Sequence, residues 1–294
     1  MSEHSLHAPY CADHAVQRTV TVLENVRLAR DTYRLRFDGG ELARGVIPGQ
    51  FFMLRPAGGT DPLIGRPLAL YDVNANHEID VVYLVKGKFT QRLAEQSAGY
   101  KLNVWGPLGN GFSSRATKHL ILVAGGIGQT PMLTLGRWFL GTQAFGEPHR
   151  LPPAPARVTL LYGARSADLL AGVEDFRRAG LDVHIATDDG SRGHRGFVTQ
   201  LLEQALDDEG PEPFGGDTSD RVRIACCGPE PMMEAVAKIA ARRQVPCEIS
   251  LETPMACGIG ICFTCVAKIR DDQGWDYKRT CVEGPIFPAE KIEW

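Results

Sequence analysis

Apolar and polar residues alternate in the first third of this chain and run in blocks in the middle. The change of period divides it. From Arg18 onward the apolar runs are short and alternating, at 19–23, 32–37, 50–54, 79–85 and 101–105. Period two sends successive side chains to opposite faces of a pleated strand. Turn residues such as Pro48-Gly49 separate the runs, and 91–96 is a single short helical stretch. Short strands with frequent Gly and Pro turns predict a closed antiparallel β-barrel over 18–115. It ends in the tight loop Gly106-Pro107-Leu108-Gly109-Asn110-Gly111-Phe112.

From His119 the pattern changes to buried strands alternating with helices. Strands are predicted at 120–124, 157–162, 182–187, 222–225 and 248–251, with helices at 132–140, 172–179, 197–206 and 231–242. This alternation implies a parallel sheet over 116–250, with ligand sites at the carboxyl ends of its strands. The first strand runs into Gly125-Gly126-Ile127-Gly128-Gln129-Thr130-Pro131. A glycine turn feeding a helix, with Pro near the first helical position, can cradle phosphate. It is not the G-x-G-x-x-G fingerprint, so the match to a dinucleotide fold is loose. The Pro-rich stretch 146–156 and the acidic, Gly- and Pro-rich 207–220 have no apolar face and are expected to be solvated loops.

The strongest chemical pattern lies in the remaining segment, 251–294. Cys257, Cys262, Cys265 and Cys281 are spaced C-x4-C-x2-C-x15-C. This is the plant-type ligand run for a [2Fe-2S] cluster. Three thiolates come from one tight loop, where Gly258 and Gly260 permit the backbone to wrap closely, and the fourth arrives from further along. Zinc also takes four cysteines, usually as two C-x2-C knuckles, and only Cys262 and Cys265 form one here. A disulfide framework belongs to short secreted chains.

Composition narrows the field without adding chemistry. The 294 residues suffice for two domains and a small appendage, and the net charge of −3 gives no footprint for nucleic acid. No apolar run is long enough for a membrane span. Residues 1–17 carry His4, His7, Cys11 and His14 at irregular spacing and no apolar signal-peptide core, so they are expected to be a disordered extension and the protein to be cytoplasmic.

Several residues could bind a cofactor, each with a plainer reading beside it. Arg66, in Gly65-Arg66-Pro67-Leu68-Ala69, can face a phosphate bidentately, though an Arg before a strand is common. The Gly87-Lys88-Phe89-Thr90 turn can offer backbone N–H groups to an anion, or be a plain turn with Thr90 as N-cap. Cys227 ends a strand before Gly228-Pro229, as a redox thiol or as a small buried residue. Asp188 and Asp189 would repel a 2′-phosphate and favour NAD(H), while Arg165 argues the other way. No Ser/His/Asp or Cys/His catalytic set is evident.

From about Arg18 to Trp294 the chain resembles the electron-transfer subunits of dihydroorotate dehydrogenase B, within the ferredoxin–NADP reductase superfamily. The carrying residues are Arg66-Pro67-Leu68, the 106–112 loop, Gly125-Gly126-Ile127-Gly128, 186–191, Cys227-Gly228-Pro229, Met255-Ala256-Cys257-Gly258-Ile259-Gly260, Cys281 and Gly284-Pro285. The resemblance implies an FAD-binding barrel, an NAD-binding α/β domain and a C-terminal [2Fe-2S] subdomain. It implies that Arg66 and the 87–90 turn hold the FAD pyrophosphate, and that Gly126 and Gly128 face the NADH phosphates. Cys227 would lie near nicotinamide and flavin, and the four cysteines would ligate the cluster. The family usually has Ser where this chain has Ala69, and Gly where it has Phe89. The implied partner is an FMN-containing dihydroorotate dehydrogenase catalytic subunit in a heterotetramer of two subunits of each kind. Electrons would pass from its FMN through the cluster and FAD to NAD+, serving pyrimidine biosynthesis. A flavin is the required converter between hydride and single-electron chemistry. Two other readings stand beside it. One is a reductase subunit of another complex, of sulfhydrogenase or ferredoxin:NADP+ oxidoreductase type; the latter's small subunit usually has an Asp among the cluster ligands. The other is a zinc-bearing binding module.

Overall fold

The computed structural model describes residues 14–149, 151–152, 155–210 and 221–294. Six strands close the first part into an antiparallel barrel: β1 (Val16–Ala29), β2 (Thr32–Asp38), β3 (Phe51–Pro56), β4 (Arg66–Val73), β5 (Glu78–Leu84) and β6 (Lys101–Leu108), in the order β1-β2-β5-β4-β3-β6. Closure rests on β1, which is long enough to serve two neighbours. Its residues 16–21 pair with β6 and its remainder with β2, with irregular register between Val22 and Glu24. Such a break bends a strand and increases its twist, as a corner requires. Val16 and Gln17 therefore belong to the barrel rather than to an extension, and the expectation of disorder over 1–13 lies outside the described residues. Val22, Leu35, Phe37, Leu54 and Val81 fill the interior.

Helix α1 (Lys88–Ala94) begins three residues before the predicted stretch. Gly87, in an extended conformation, is its N-cap, and Thr90 is the third helical residue instead of the cap. The Thr90 hydroxyl reaches back and accepts the N–H groups of Lys86 at 3.0 Å and Gly87 at 3.1 Å. Phe89 is only 2 % exposed and packs into the barrel core, which is why a bulky residue is tolerated in this turn.

The second layer is a seven-stranded sheet. It contains β7 (His119–Gly125), β8 (Arg157–Ala164), β9 (Asp182–Thr187), β10 (His194–Arg195), β11 (Val222–Cys227) and β12 (Cys247–Ser250), all parallel. Helices α2 (Met132–Phe139), α3 (Val173–Arg178), α4 (Val198–Asp208) and α5 (Glu230–Arg243) make the crossovers. Pro131 caps α2, after a 3-10 turn over Gly126–Gln129. The acidic stretch starts inside α4, since Asp207 and Asp208 are its last residues; 211–220 lie outside the described residues.

The C-terminal segment is stitched into both layers. It forms the hairpin β13 (Val266–Asp271) and β14 (Gly274–Arg279), then β15 (Ile286–Pro288), which adds to the sheet antiparallel to β12. The order is β10-β9-β8-β7-β11-β12-β15. The barrel and sheet are also joined directly. Tyr71 Oη donates to Asp175 at 2.8 Å, and Arg137 Nη1 meets both oxygens of Asp72 at 2.8 Å. Burial raises the pKa of Asp72 while Arg137 opposes that shift, the balance expected of a half-enclosed ion pair.

Candidate functional site

A cleft of about 510 Å³ opens where the barrel meets the carboxyl ends of the parallel strands. Strand β4 supplies Arg66, Pro67, Leu68 and Ala69 to one wall, the turn before α1 adds Lys86 and Gly87, and the first turn of α1 adds Thr90. The sheet supplies Ile127, Thr130 and Cys227 opposite. Glu252, Thr253 and Met255, which lead into the cysteine loop, form the third side.

The barrel wall suits a large planar ligand with an anionic tail. Arg66 Nη1 donates to the carbonyls of Ile64 and Gly65, both at 3.0 Å, which folds the guanidinium onto its own turn. Among the described residues it pairs with no carboxylate, so its charge is uncompensated at the cleft. Lys88 does not line the cleft. It is exposed and pairs with Asp61 at 2.5 Å, and Arg92 joins the same carboxylate at 3.1 Å. Those cations hold the Asp61 pKa below the usual carboxylate value. Ala69 contributes no hydroxyl.

On the sheet wall the glycines do different work. Gly126 has φ +55°, with open space where a side chain would stand. A Cβ on Gly128 would come within 2.3 Å of the Cys227 carbonyl, so this glycine lets the turn after β7 lie against the end of β11. Gly228 packs as tightly, against Met232 and Gly125. Cys227 is 2 % exposed, and its thiol is pushed well up, first by burial and then by the charge of Glu252. It is a neutral thiol and not a nucleophile. Asp189 lies outside the cleft, exposed beyond β9. Its Oδ1 accepts the Ser191 hydroxyl at 2.6 Å and backbone N–H at 2.9 Å, which lowers its pKa.

Glu252 is one of the cleft residues that sequence reasoning missed. It opens to the cleft but is walled by protein elsewhere, and this confinement raises its carboxyl pKa while Lys86 opposes the rise. A lone Glu after a short strand gives no sequence signal; its place depends on β12 ending at the cleft.

The four cysteines lie beyond the third side. Cys262 is exposed on the loop and has a pKa lowered to about 6, mainly by the Thr264 hydroxyl and N–H and then by Cys257. Cys265 is lowered to about 6, mainly by a hydrogen bond from Cys281, whose own thiol is pushed up by the same bond. Cys262 thus senses Cys257, and Cys265 senses Cys281. The spacing of the four is that of a two-iron ligand run. The loop is seated on the barrel. A Cβ on Gly258 would come within 2.6 Å of Met53 Cγ, and Phe51, Met53 and Leu108 pack with Cys265 and Cys281.

Comparison with known proteins accords with this geometry. Residues 252–293 match the family model for the iron–sulfur cluster binding domain of dihydroorotate dehydrogenase B, and 122–238 match an oxidoreductase NAD-binding domain. The chain is 34 % identical over 280 residues to the dihydroorotate dehydrogenase B (NAD(+)) electron transfer subunit of Shouchella clausii, covering 94 % of this chain and 98 % of that protein. It is 33 % identical to the Desulforamulus reducens subunit, covering 93 % and 97 %. Among solved structures it is similar to an NADH-dependent reduced ferredoxin-NADP oxidoreductase, with TM-score 0.74 and 25 % identity over 94 % of this chain and 90 % of that one. A ferredoxin reductase of carbazole 1,9a-dioxygenase shares the fold, with TM-score 0.61 over 79 % and 67 %. The iron–sulfur match sets the zinc reading aside. The chain belongs to the family of dihydroorotate dehydrogenase B (NAD(+)) electron transfer subunits, NAD-linked iron–sulfur flavoproteins within the ferredoxin–NADP reductase superfamily.

Proposed function

We propose that this chain docks with an FMN-containing catalytic subunit, two copies of each, and links dihydroorotate oxidation to NAD+ in cytoplasmic pyrimidine synthesis. One observation carries the reading. A single cleft is walled by the barrel at Ala69, by the sheet end at Cys227, and by the segment that runs from Thr253 into the cysteine loop. FAD bound there supplies the conversion between two-electron hydride and single-electron chemistry.

The protein's part is positioning and charge. Arg66 holds the pyrophosphate of FAD, aided by the Gly87 and Thr90 turn, while Pro67, Leu68 and Ala69 lie along the ring. Lys88 acts indirectly, by fixing the 57–65 loop through Asp61. Gly126 gives the NADH phosphates room, and Gly128 and Gly228 bring Cys227 to the cleft. Neutral Cys227 adds no charge beside the nicotinamide. Asp189 faces the adenosine ribose and selects NAD(H) by repelling a 2′-phosphate. Cys257, Cys262, Cys265 and Cys281 hold the cluster. No helix in the described residues is long and apolar enough to cross a membrane.

The purified pair of subunits, replete in flavin and cluster, should form NADH from dihydroorotate and NAD+. Absence of NADH from such a complex overturns the proposal. A co-purified mass other than that of two copies of each subunit overturns the stoichiometry.

A further inference from the structure

The wall between the cleft and the cysteine loop is crossed by two threonines. Thr253 lines the cleft, and Thr280 is fully buried immediately before Cys281. Their Oγ1 atoms are 2.5 Å apart. Thr280 Oγ1 lies 3.1 Å from the carbonyl oxygen of Cys265, and the Thr280 N–H donates to that same oxygen at 2.7 Å. A carbonyl only accepts, so Thr280 is the donor in its contact with Cys265. Across the shorter contact either hydroxyl can be the donor. The contacts run as a chain without a break from Thr253 at the cleft through Thr280 to Cys265.

This chain meets the ligand set twice. It ends on the carbonyl of Cys265, and through its own peptide bond Thr280 adjoins Cys281. The surrounding wall is apolar, with Phe51, Met53 and Leu108 packed on the same two cysteines. A buried hydroxyl and a half-buried one are not needed for filling that wall. Apolar residues of the same shape on both sides would be nearly neutral for stability, because both desolvation costs vanish together. Groups just outside a metal centre orient the ligands, and their loss typically costs about 10–100-fold in affinity or activity.

We infer that Thr253 and Thr280 are positioning residues that hold Cys265 and Cys281 in register with the flavin side of the cleft and couple the two redox centres through a continuous hydroxyl contact. The inference rests on the proposed function, and the test separates the two.

The test uses the full chain, loaded with flavin and cluster, in three forms: unaltered, T253V/T280V and T253S/T280S. Iron content, visible spectrum and thermal midpoint are recorded first. NADH is then mixed in, and cluster bleaching is followed against flavin bleaching. The electron paramagnetic resonance spectrum of the reduced cluster is taken in parallel. The valine pair is expected to keep its thermal midpoint but to slow cluster bleaching by about 10-fold or more and to shift the resonance lines. The serine pair is expected to restore both. If the valine pair sheds iron while the serine pair keeps it, that supports the ligand-holding role, and the rate is read in T253V alone. Unchanged bleaching and resonance in the valine pair overturn the inference. Equal loss in the valine and serine pairs overturns it too, since packing alone is then at stake. An unaltered chain that binds no flavin or cluster overturns the proposed function instead.

Discussion

The indole N–H of Trp105, in barrel strand β6, donates to the carbonyl oxygen of Cys257 at 2.9 Å, across 152 residues of sequence. It ties the first cysteine of the cluster loop to the wall of the flavin domain. W105F keeps most of the ring's packing and removes the donor. The net cost is about 1 kcal/mol, so the cluster should be lost to a chelator roughly five times faster. Bleaching of the visible absorption under chelator measures this, with bound FAD unchanged.

Asn110 closes the other end of the same segment. Its side chain accepts the N–H of Ile286 at 3.0 Å and donates to the carbonyls of Ile286 at 2.8 Å and Glu283 at 3.3 Å. N110A leaves those backbone groups without their partner where β15 enters the sheet. A loss of about 2–3 kcal/mol is expected, seen as a lower thermal midpoint and a lower iron content on purification.

Cys226, Cys227 and Cys247 are all buried, and burial is the first cause of each raised thiol pKa. In the unfolded chain these thiols ionise near the ordinary value of 9.0. In the folded chain they keep their protons above it. Their contribution to stability is therefore fully present below that pH and is lost as pH rises beyond it. Denaturant midpoints should fall from pH 9 to pH 10.5. At pH 8, alkylating reagent should label none of the three until the chain unfolds.

Glu252 gives the same sign in the acid range. Its raised carboxyl pKa means that the charged form is disfavoured in the folded protein. Between the ordinary value of 4.5 and the raised one, the folded state holds a proton that the unfolded state has released. Stability therefore falls as pH rises through that window. E252Q removes the charge, so it should raise the thermal midpoint at pH 7 and have little effect at pH 4.

Cys265→Ser tests whether the cluster relays electrons or only holds the loop. It should abolish transfer to the catalytic subunit and spare NADH oxidation by an artificial acceptor that draws from the flavin. Equal loss of both would make the cysteines structural.

Local pattern carried much of this fold. Period two was plain in β2, the apolar run of β5 marked a strand buried on both faces, and the block strands β7 and β11 were plain in the middle. What the pattern could not show was set by tertiary partners. The β13–β14 hairpin exposes Trp275 and Tyr277 and has no buried alternating face. Strand β15 has three residues, too few for a period, and exists because β12 offers an open edge. Thr90 read as a cap because its type favours one, but Gly87 adopts the capping conformation and Thr90 braces it. The cysteine spacing named the cluster, whereas Glu252, Thr253 and Thr280 are functional only by juxtaposition. Gly128, expected to face phosphate, owes its identity to the Cys227 carbonyl.

Strand β15 has a consequence for biosynthesis. It follows both folded layers in the chain, so it leaves the ribosome after the barrel and the parallel strands are available to fold. Its pairing with β12 and its clasp by Asn110 can form only once the last residues are made, and they anchor the C-terminal end of the segment that carries the thiols. A nascent or truncated chain without β15 would hold the cysteine segment at its barrel end alone and leave the edge of β12 bare, a template for pairing with other chains.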